Sequence, residues 1–173
     1  RVLAFHARWE PGDGADGRWL QFALGLPDVR EIVRARAAEG DTSVMFGRIL
    51  QETSKGPEHA AVCQDHAAAA AAAPDDVDAA YLAARCIDDD AERDARFFAL
   101  HQRHPEHPWL NHAAIHIYAA KDDFAGAIAA ARRVASSLPV MTDDNAVLLA
   151  RLERRATPDR EPDLSALAET SPE

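Results

Sequence analysis

Basic charge is what this chain has least of in proportion. Nineteen lysines and arginines stand against twenty-nine aspartates and glutamates, a formal net charge of -10. A nucleic-acid binder needs a basic footprint, and so does a protein that docks on an anionic membrane surface. Both partner classes are therefore set aside. Long apolar runs are also missing. None approaches the roughly 18 residues of a membrane span, so direct membrane insertion is not expected, and no secretory leader pattern is visible. Cysteine is reduced to Cys63 and Cys86, neither in a CxxC pair. That excludes a dense disulfide framework; the expectation is two buried free thiols on adjacent helices, which suits a reducing, cytoplasmic compartment. There is no glycine-rich phosphate loop and no Gly-x-Ser-x-Gly elbow, and neither cysteine has a base placed to activate it. No catalytic residue and no cofactor are expected, and the chain reads as a non-enzyme. Because it opens on Arg1 rather than Met, it reads as a piece of a longer protein.

Alanine is what the chain has in abundance. The hydrophobic share is 47% while aromatics make up only 6%. Alanine is the best helix former and lets helices approach closely, but it fills little volume. The expected product is all-α, with thin layers of closely packed helices. Residues 1–18 read as irregular, with the loop Pro11-Gly12-Asp13-Gly14-Ala15-Asp16-Gly17 at their centre. Residues 19–41 read as a helix pair, with Trp19 to Leu26 as the first helix. The second starts at Pro27, carries Val29, Ile32, Val33 and Ala37 on one face and ends at Gly40-Asp41, after which Thr42 or Ser43 caps the next helix. Residues 157–173 form an acidic, proline-containing tail, with one short helical turn around Leu164, Leu167 and Ala168.

Between them, residues 42–156 repeat. Pro74, Pro105 and Pro139 each close one helical run and precede another, at spacings of 31 and 34 residues. A period in this range signals stacked helical hairpins. The first unit carries Phe46, Ile49, Leu50 and Thr53, a turn at Lys55-Gly56-Pro57, then Val62, His66, Ala69 and Pro74. The second carries Ala80, Ala83, Ala84 and Ile87, a short turn at Asp88-Asp89-Asp90, then Phe97, Leu100 and Pro105. The third carries Asn111, Ala114, Ile115 and Tyr118, a turn at Lys121-Asp122-Asp123, then Phe124, Ala127, Ala131, Val134 and Pro139. A last helix with Leu148, Leu149 and Leu152 in step caps the stack.

On these residues the chain resembles the tetratricopeptide repeat family over about residues 43–156. The resemblance implies an all-α solenoid of three helical hairpins plus a capping helix. Leu50 and Ile115 stand where the family expects a small residue in the first helix, and Arg93 stands where it expects one early in the second helix of the middle unit. The resemblance further implies a protein–protein interaction module that holds a protein or peptide partner in a concave groove lined by the first helix of each hairpin.

Helix geometry then names the groove. With Phe46, Ile49 and Leu50 turned into the stack, Gly47, Gln51 and Ser54 fall on the other side. The matching positions further on are Asp78, Tyr81, Arg85 and Asp88, then Trp109, His112 and His116. The expected partner-binding groove is Gln51, Tyr81, Arg85, Trp109, His112 and His116. Tyr, Trp and Arg are enriched at binding hot spots, and Arg can hold a carboxylate with two parallel hydrogen bonds, so an acidic segment is the partner considered. The competing reading has Tyr81 and Trp109 packed structurally and Arg85 paired with Asp88 or Asp89. His112 and His116, four apart on a helix, have two-ligand metal geometry, but the segment lacks the glutamate of a zincin helix, so no metal site is expected. Two further readings stand beside the interaction module. One is an accessory domain that orients its own parent chain, and the other is a metal-binding domain built on the histidines.

Overall fold

The computed structural model describes residues 28–40, 43–137 and 142–158, with no account of the side chains of residues 142–146. The expected helix at Trp19–Leu26, the glycine-rich loop, Pro139 and the acidic tail after Pro158 lie outside the described residues. Among the described residues there are eight α-helices and no strand. They are α1 (Val29–Ala38), α2 (Val44–Thr53), α3 (Pro57–Ala72), α4 (Val77–Arg85), α5 (Asp90–Arg103), α6 (Pro108–Ala120), α7 (Phe124–Ser137) and α8 (Thr142–Ala156). The all-α expectation therefore holds.

Local chemistry sets the helix ends. Ser43 accepts a hydrogen bond from the Phe46 amide at 3.3 Å and starts α2. Asp76 accepts from the Ala79 amide at 3.1 Å and starts α4. Each such cap satisfies an orphan backbone donor and is worth about 1 kcal/mol. Gly56 adopts a φ of 56° just before Pro57, a backbone state that favours glycine, and Pro57 then supplies a first helical residue needing no amide hydrogen. His107 caps α6 through its Nδ1, which accepts from the Leu110 amide at 3.3 Å, with Pro108 as the first helical residue. Pro74 and Pro105 sit in the turns after α3 and α5, as the repeat expected.

The chain divides into two compact units, with the boundary inside α5 between Arg96 and Phe97. The first unit contains α1 to α4. There α1 packs on α2, α3 packs on α4, and α2 meets both. Its apolar centre is Val29, Val33, Phe46, Ile49, Tyr81 and Leu82, all buried. Glu58 at the start of α3 ties to α1 through ion pairs with Arg30 (2.8 Å) and Arg34.

The second unit contains the end of α5 and α6 to α8, and α7 packs against both α6 and α8. Its core is Ala114, Ile115, Ala127, Ala130, Ala131, Val134 and Leu152, backed by Tyr118, Phe124 and Leu148. Helix α6 is buried on several faces at once, at Trp109, Leu110, Asn111, Ala114, Ile115 and Ile117. A helix that is apolar nearly all round takes such a central place.

Two expectations about the first unit are overturned. Gly47, Gln51 and Ser54 do not face away from the packing; all three are buried. The cause is Gly47, where a Cβ would come within 2.6 Å of Leu82 Cδ1. Without a side chain there, α4 closes over that face of α2. The small residue that permits close approach is thus Gly47, one turn before Leu50. Cys63 and Cys86 are not free thiols: they form a disulfide between α3 and the end of α4, with Cα atoms 5.5 Å apart.

Candidate functional site

The six expected groove residues fall in both units, three in each. In the first unit, Gln51 and Arg85 are brought together: Arg85 Nε donates to Gln51 Oε1 at 2.7 Å. Gln51 Nε2 in turn donates to the Leu82 carbonyl at 2.8 Å and reaches Cys86 Sγ at 3.3 Å. Arg85 also pairs with Glu52 at 2.6 Å, rather than with Asp88 or Asp89. Tyr81 is 1% exposed, and its hydroxyl accepts a hydrogen bond from Arg48. Burial pushes the Arg48 guanidinium below its ordinary pKa, with Arg85 adding to the effect, while Tyr81 and Glu52 oppose it. Gln51, Tyr81 and Arg85 therefore join α2 to α4. Arg48 and Glu52, which the sequence reading passed over, complete that network.

In the second unit, Trp109, His112 and His116 run along α6. Trp109 is buried, His112 half-buried and His116 exposed. The Trp109 and His112 rings are 6.4 Å apart and the His112 and His116 rings 5.8 Å apart, both pairs edge-on. His107 uses Nδ1 as a helix cap. His101 is buried against Asn111, with Nε2 3.1 Å from Asn111 Oδ1. The Asn111 amide nitrogen donates to the Pro105 and His107 carbonyls at 2.7 and 3.0 Å. Its oxygen is thus the acceptor and His101 Nε2 carries the proton. This pair fastens the Pro105 turn between α5 and α6. Among the described residues, no group of three or more His, Cys, Asp or Glu is placed to hold a metal ion.

A cavity absent from the sequence reading lies in the first unit, with a volume of about 340 Å³. Its apolar walls include Phe46 and Leu50 of α2, Ala69 of α3 and Leu82 of α4. Its polar lining is Asp65, His66, Asp76 and Asp78, with Ser43. Burial pushes the His66 pKa below the ordinary value, against the opposing pull of Asp65 and of the Gly47 backbone. Its Nε2 is buried without a hydrogen-bond partner. The disulfide braces two of the walls: Cys63 lies one turn before His66 on α3, and Cys86 one turn after Leu82. The helix-interior Gly47 of α2 was the signal for this cavity. Glycine in a helix costs about 1 kcal/mol and implies a packing reason.

No protein family, curated protein or solved structure matches this chain. Among the described residues, no helix is long and apolar enough to cross a membrane.

Proposed function

We propose that the chain is a tetratricopeptide-like helical-hairpin module that recruits a protein or peptide partner rather than performing chemistry. The carrying observation is the cavity whose walls come from α2, α3 and α4. A helical repeat presents such spaces because each hairpin buries only part of its surface against its neighbour. Supporting the repeat reading are the short turns joining packed helices, and the prolines that part α3 from α4 and α5 from α6. Arg85, the anchor considered for an acidic segment, is engaged by Glu52 and Gln51. The partner surface therefore centres on the cavity in place of Arg85. The Cys63–Cys86 bridge favours an oxidising compartment over the cytoplasm, because glutathione and thioredoxin keep cytosolic thiols reduced.

The test is selection of a random peptide display library on the immobilised, oxidised protein. Enriched sequences are then measured by fluorescence anisotropy. The expected result is a set of peptides that compete with one another and bind only the folded protein. No enrichment above an unrelated alanine-rich helical protein overturns the reading.

A further inference from the structure

We propose that the Cys63–Cys86 bridge is a site of reversible thiol–disulfide exchange, where a small monothiol is taken up on Cys86 while Cys63 departs as a thiolate beside His59. This chemistry is independent of the partner-binding reading. From the sequence no base is expected at either cysteine, yet the structure puts one there. His59 and Cys63 stand four residues apart on α3 and share a face of the helix. His59 Nε2 lies 3.5 Å from Cys63 Sγ, and Nδ1 lies 3.2 Å from the Gln51 carbonyl oxygen on α2. A carbonyl only accepts, so Nδ1 carries a proton and donates it. In the neutral ring Nε2 is then the bare nitrogen, turned to the sulfur. Gln51 serves the other sulfur as well, since its side-chain Nε2 donates to Cys86 Sγ at 3.3 Å. Gln51 is itself fixed: it is 6% exposed, donates to the Leu82 carbonyl and accepts from Arg85. One buried residue thus orients the base at Cys63 and a neutral donor at Cys86.

The two neighbours are unequal, and that sets the direction of the exchange. The incoming thiol loses its proton to water and attacks Cys86 Sγ as a thiolate. A new sulfur–sulfur bond forms there, the Cys63–Cys86 bond breaks, and its electron pair leaves on Cys63 Sγ. His59 Nε2 takes a proton from water, so an imidazolium stands beside the new thiolate. One thiol is consumed, and one mixed disulfide and one thiolate–imidazolium pair are formed. Departure of Cys86 would instead leave its charge on the neutral amide of Gln51. A charge-assisted hydrogen bond is about twice as strong as a neutral one, and the thiol of lower pKa leaves faster. Cys63 is therefore the leaving sulfur and Cys86 the modified one. In reverse, the Cys63 thiolate attacks Cys86 Sγ, expels the small thiolate and restores the bridge. Both cysteines are half-buried, which admits a small thiol more readily than the docked face of a protein reductant. Exchange also releases α3, which has no fully buried residue and forms one wall of the cavity.

The experiment treats the oxidised full chain with reduced glutathione at neutral pH and caps the freed thiol with N-ethylmaleimide. Mass spectrometry of the proteolytic peptides then locates each group. Glutathione on Cys86 with the cap on Cys63 should exceed the opposite arrangement about tenfold, the gap between a charge-assisted and a neutral hydrogen bond. His59→Gln keeps a polar side chain but cannot take up the proton, and should bring the two arrangements toward parity. A merely structural role for His59 would lower the unfolding midpoint without changing which sulfur carries glutathione. Should His59→Gln fail to fold, the single variants Cys63→Ser and Cys86→Ser carry the test, each with one thiol left. Iodoacetamide at neutral pH should alkylate Cys63 in the second faster than Cys86 in the first. Glutathione mainly on Cys63, or equally on both sulfurs, overturns the proposal, and so does Cys86 reacting as fast as Cys63. An unchanged preference in His59→Gln removes His59 from the exchange and overturns it too. A bridge left intact by glutathione at a concentration that opens an exposed disulfide in an unrelated protein makes Cys63–Cys86 a brace alone.

Discussion

Helices α3 and α7 are both rich in alanine, yet they are held in opposite ways. Helix α7 buries Ala127, Ala130, Ala131 and Val134, each at most 1% exposed, against α6 and α8. Helix α3 spans sixteen residues and has no fully buried residue. Alanine offers one methyl group, so an alanine stripe holds a helix only where larger neighbours close over it. Ile115, Tyr118 and Leu152 do so around α7. Around α3 the supports are instead a covalent bridge at Cys63 and ion pairs at Glu58. Helix α7 is fastened by apolar packing, helix α3 by a cross-link and ion pairs. The lesson is that alanine content sets helix formation and close approach, while attachment comes from other residues.

The largest expected effect breaks the apolar side of this comparison. Ile115→Ala should cost roughly 3–4 kcal/mol, the usual range for truncating a fully buried aliphatic side chain. Ile115 is 0% exposed inside the core around α7. Urea unfolding of the variant measures it, with amide exchange rising first in α6, α7 and α8. A loss below about 1 kcal/mol would mean that this core is not what holds α7.

Next comes the covalent side. Opening the Cys63–Cys86 bridge releases a loop of sequence separation 23. Chain entropy puts its contribution at about 3 kcal/mol. Dithiothreitol, or Cys63→Ala with Cys86→Ala, should lower the unfolding midpoint and speed amide exchange in α3 and α4. Exchange in α7 should change least. Thiol labelling of the purified protein under denaturing conditions, without reductant, should find neither cysteine free. Two labelled thiols, or α7 loosening as much as α3, would collapse the distinction between the two helices.

A smaller effect separates structural from partner-binding use of the α2–α4 network. Arg85 is partly exposed and hydrogen-bonds Gln51 and Glu52. Arg85→Ala should therefore lower stability by about 1 kcal/mol, discounted for solvent screening, as judged by thermal melts. Peptide affinity at the cavity should fall less than twofold. A large loss of peptide binding with an unchanged melt would restore Arg85 as a contact.

The helices, the Ser43 cap and the prolines between them were legible because they depend on local chemistry, whereas the caps at Asp76 and His107 were not read. Ser43, Gly56-Pro57 and Pro105 act within one turn of chain. The face of α2 was not legible. Phe46-Gly47 and Ile49-Leu50 supply apolar or small residues on adjoining stripes, so periodicity alone leaves open which stripe meets α4. The missing side chain of Gly47 decided it, by admitting Leu82. Once α4 closed on that side, Gln51 and Tyr81 became interior and the cavity formed beside them. The Cys63–Cys86 pairing escaped for a different reason: the two cysteines fall on adjacent helices, but without a motif their spacing does not tell a bridge from two buried thiols.

The smallest expected effect concerns His66, and it sharpens the comparison through pH. Its folded pKa is lowered, first by burial and then by Arg85, while Asp65 and the Gly47 backbone bond pull it upward. A histidine unfolded in water titrates near 6.5. Above that pH the ring is neutral in both states, and its burial is fully compatible with the fold. As pH falls below about 6.5 the unfolded chain takes up the proton more readily than the folded one, so stability declines. The decline levels off once pH is below the folded value. Melting temperatures measured from pH 7.5 down to pH 5 should therefore fall, and His66→Gln should flatten part of that fall. Amide exchange locates the effect. Helices α2 and α3, which hold the ring between Gly47 and the cavity, should open first in acid. A His66→Gln profile parallel to that of the unmodified protein would assign the acid sensitivity to other groups.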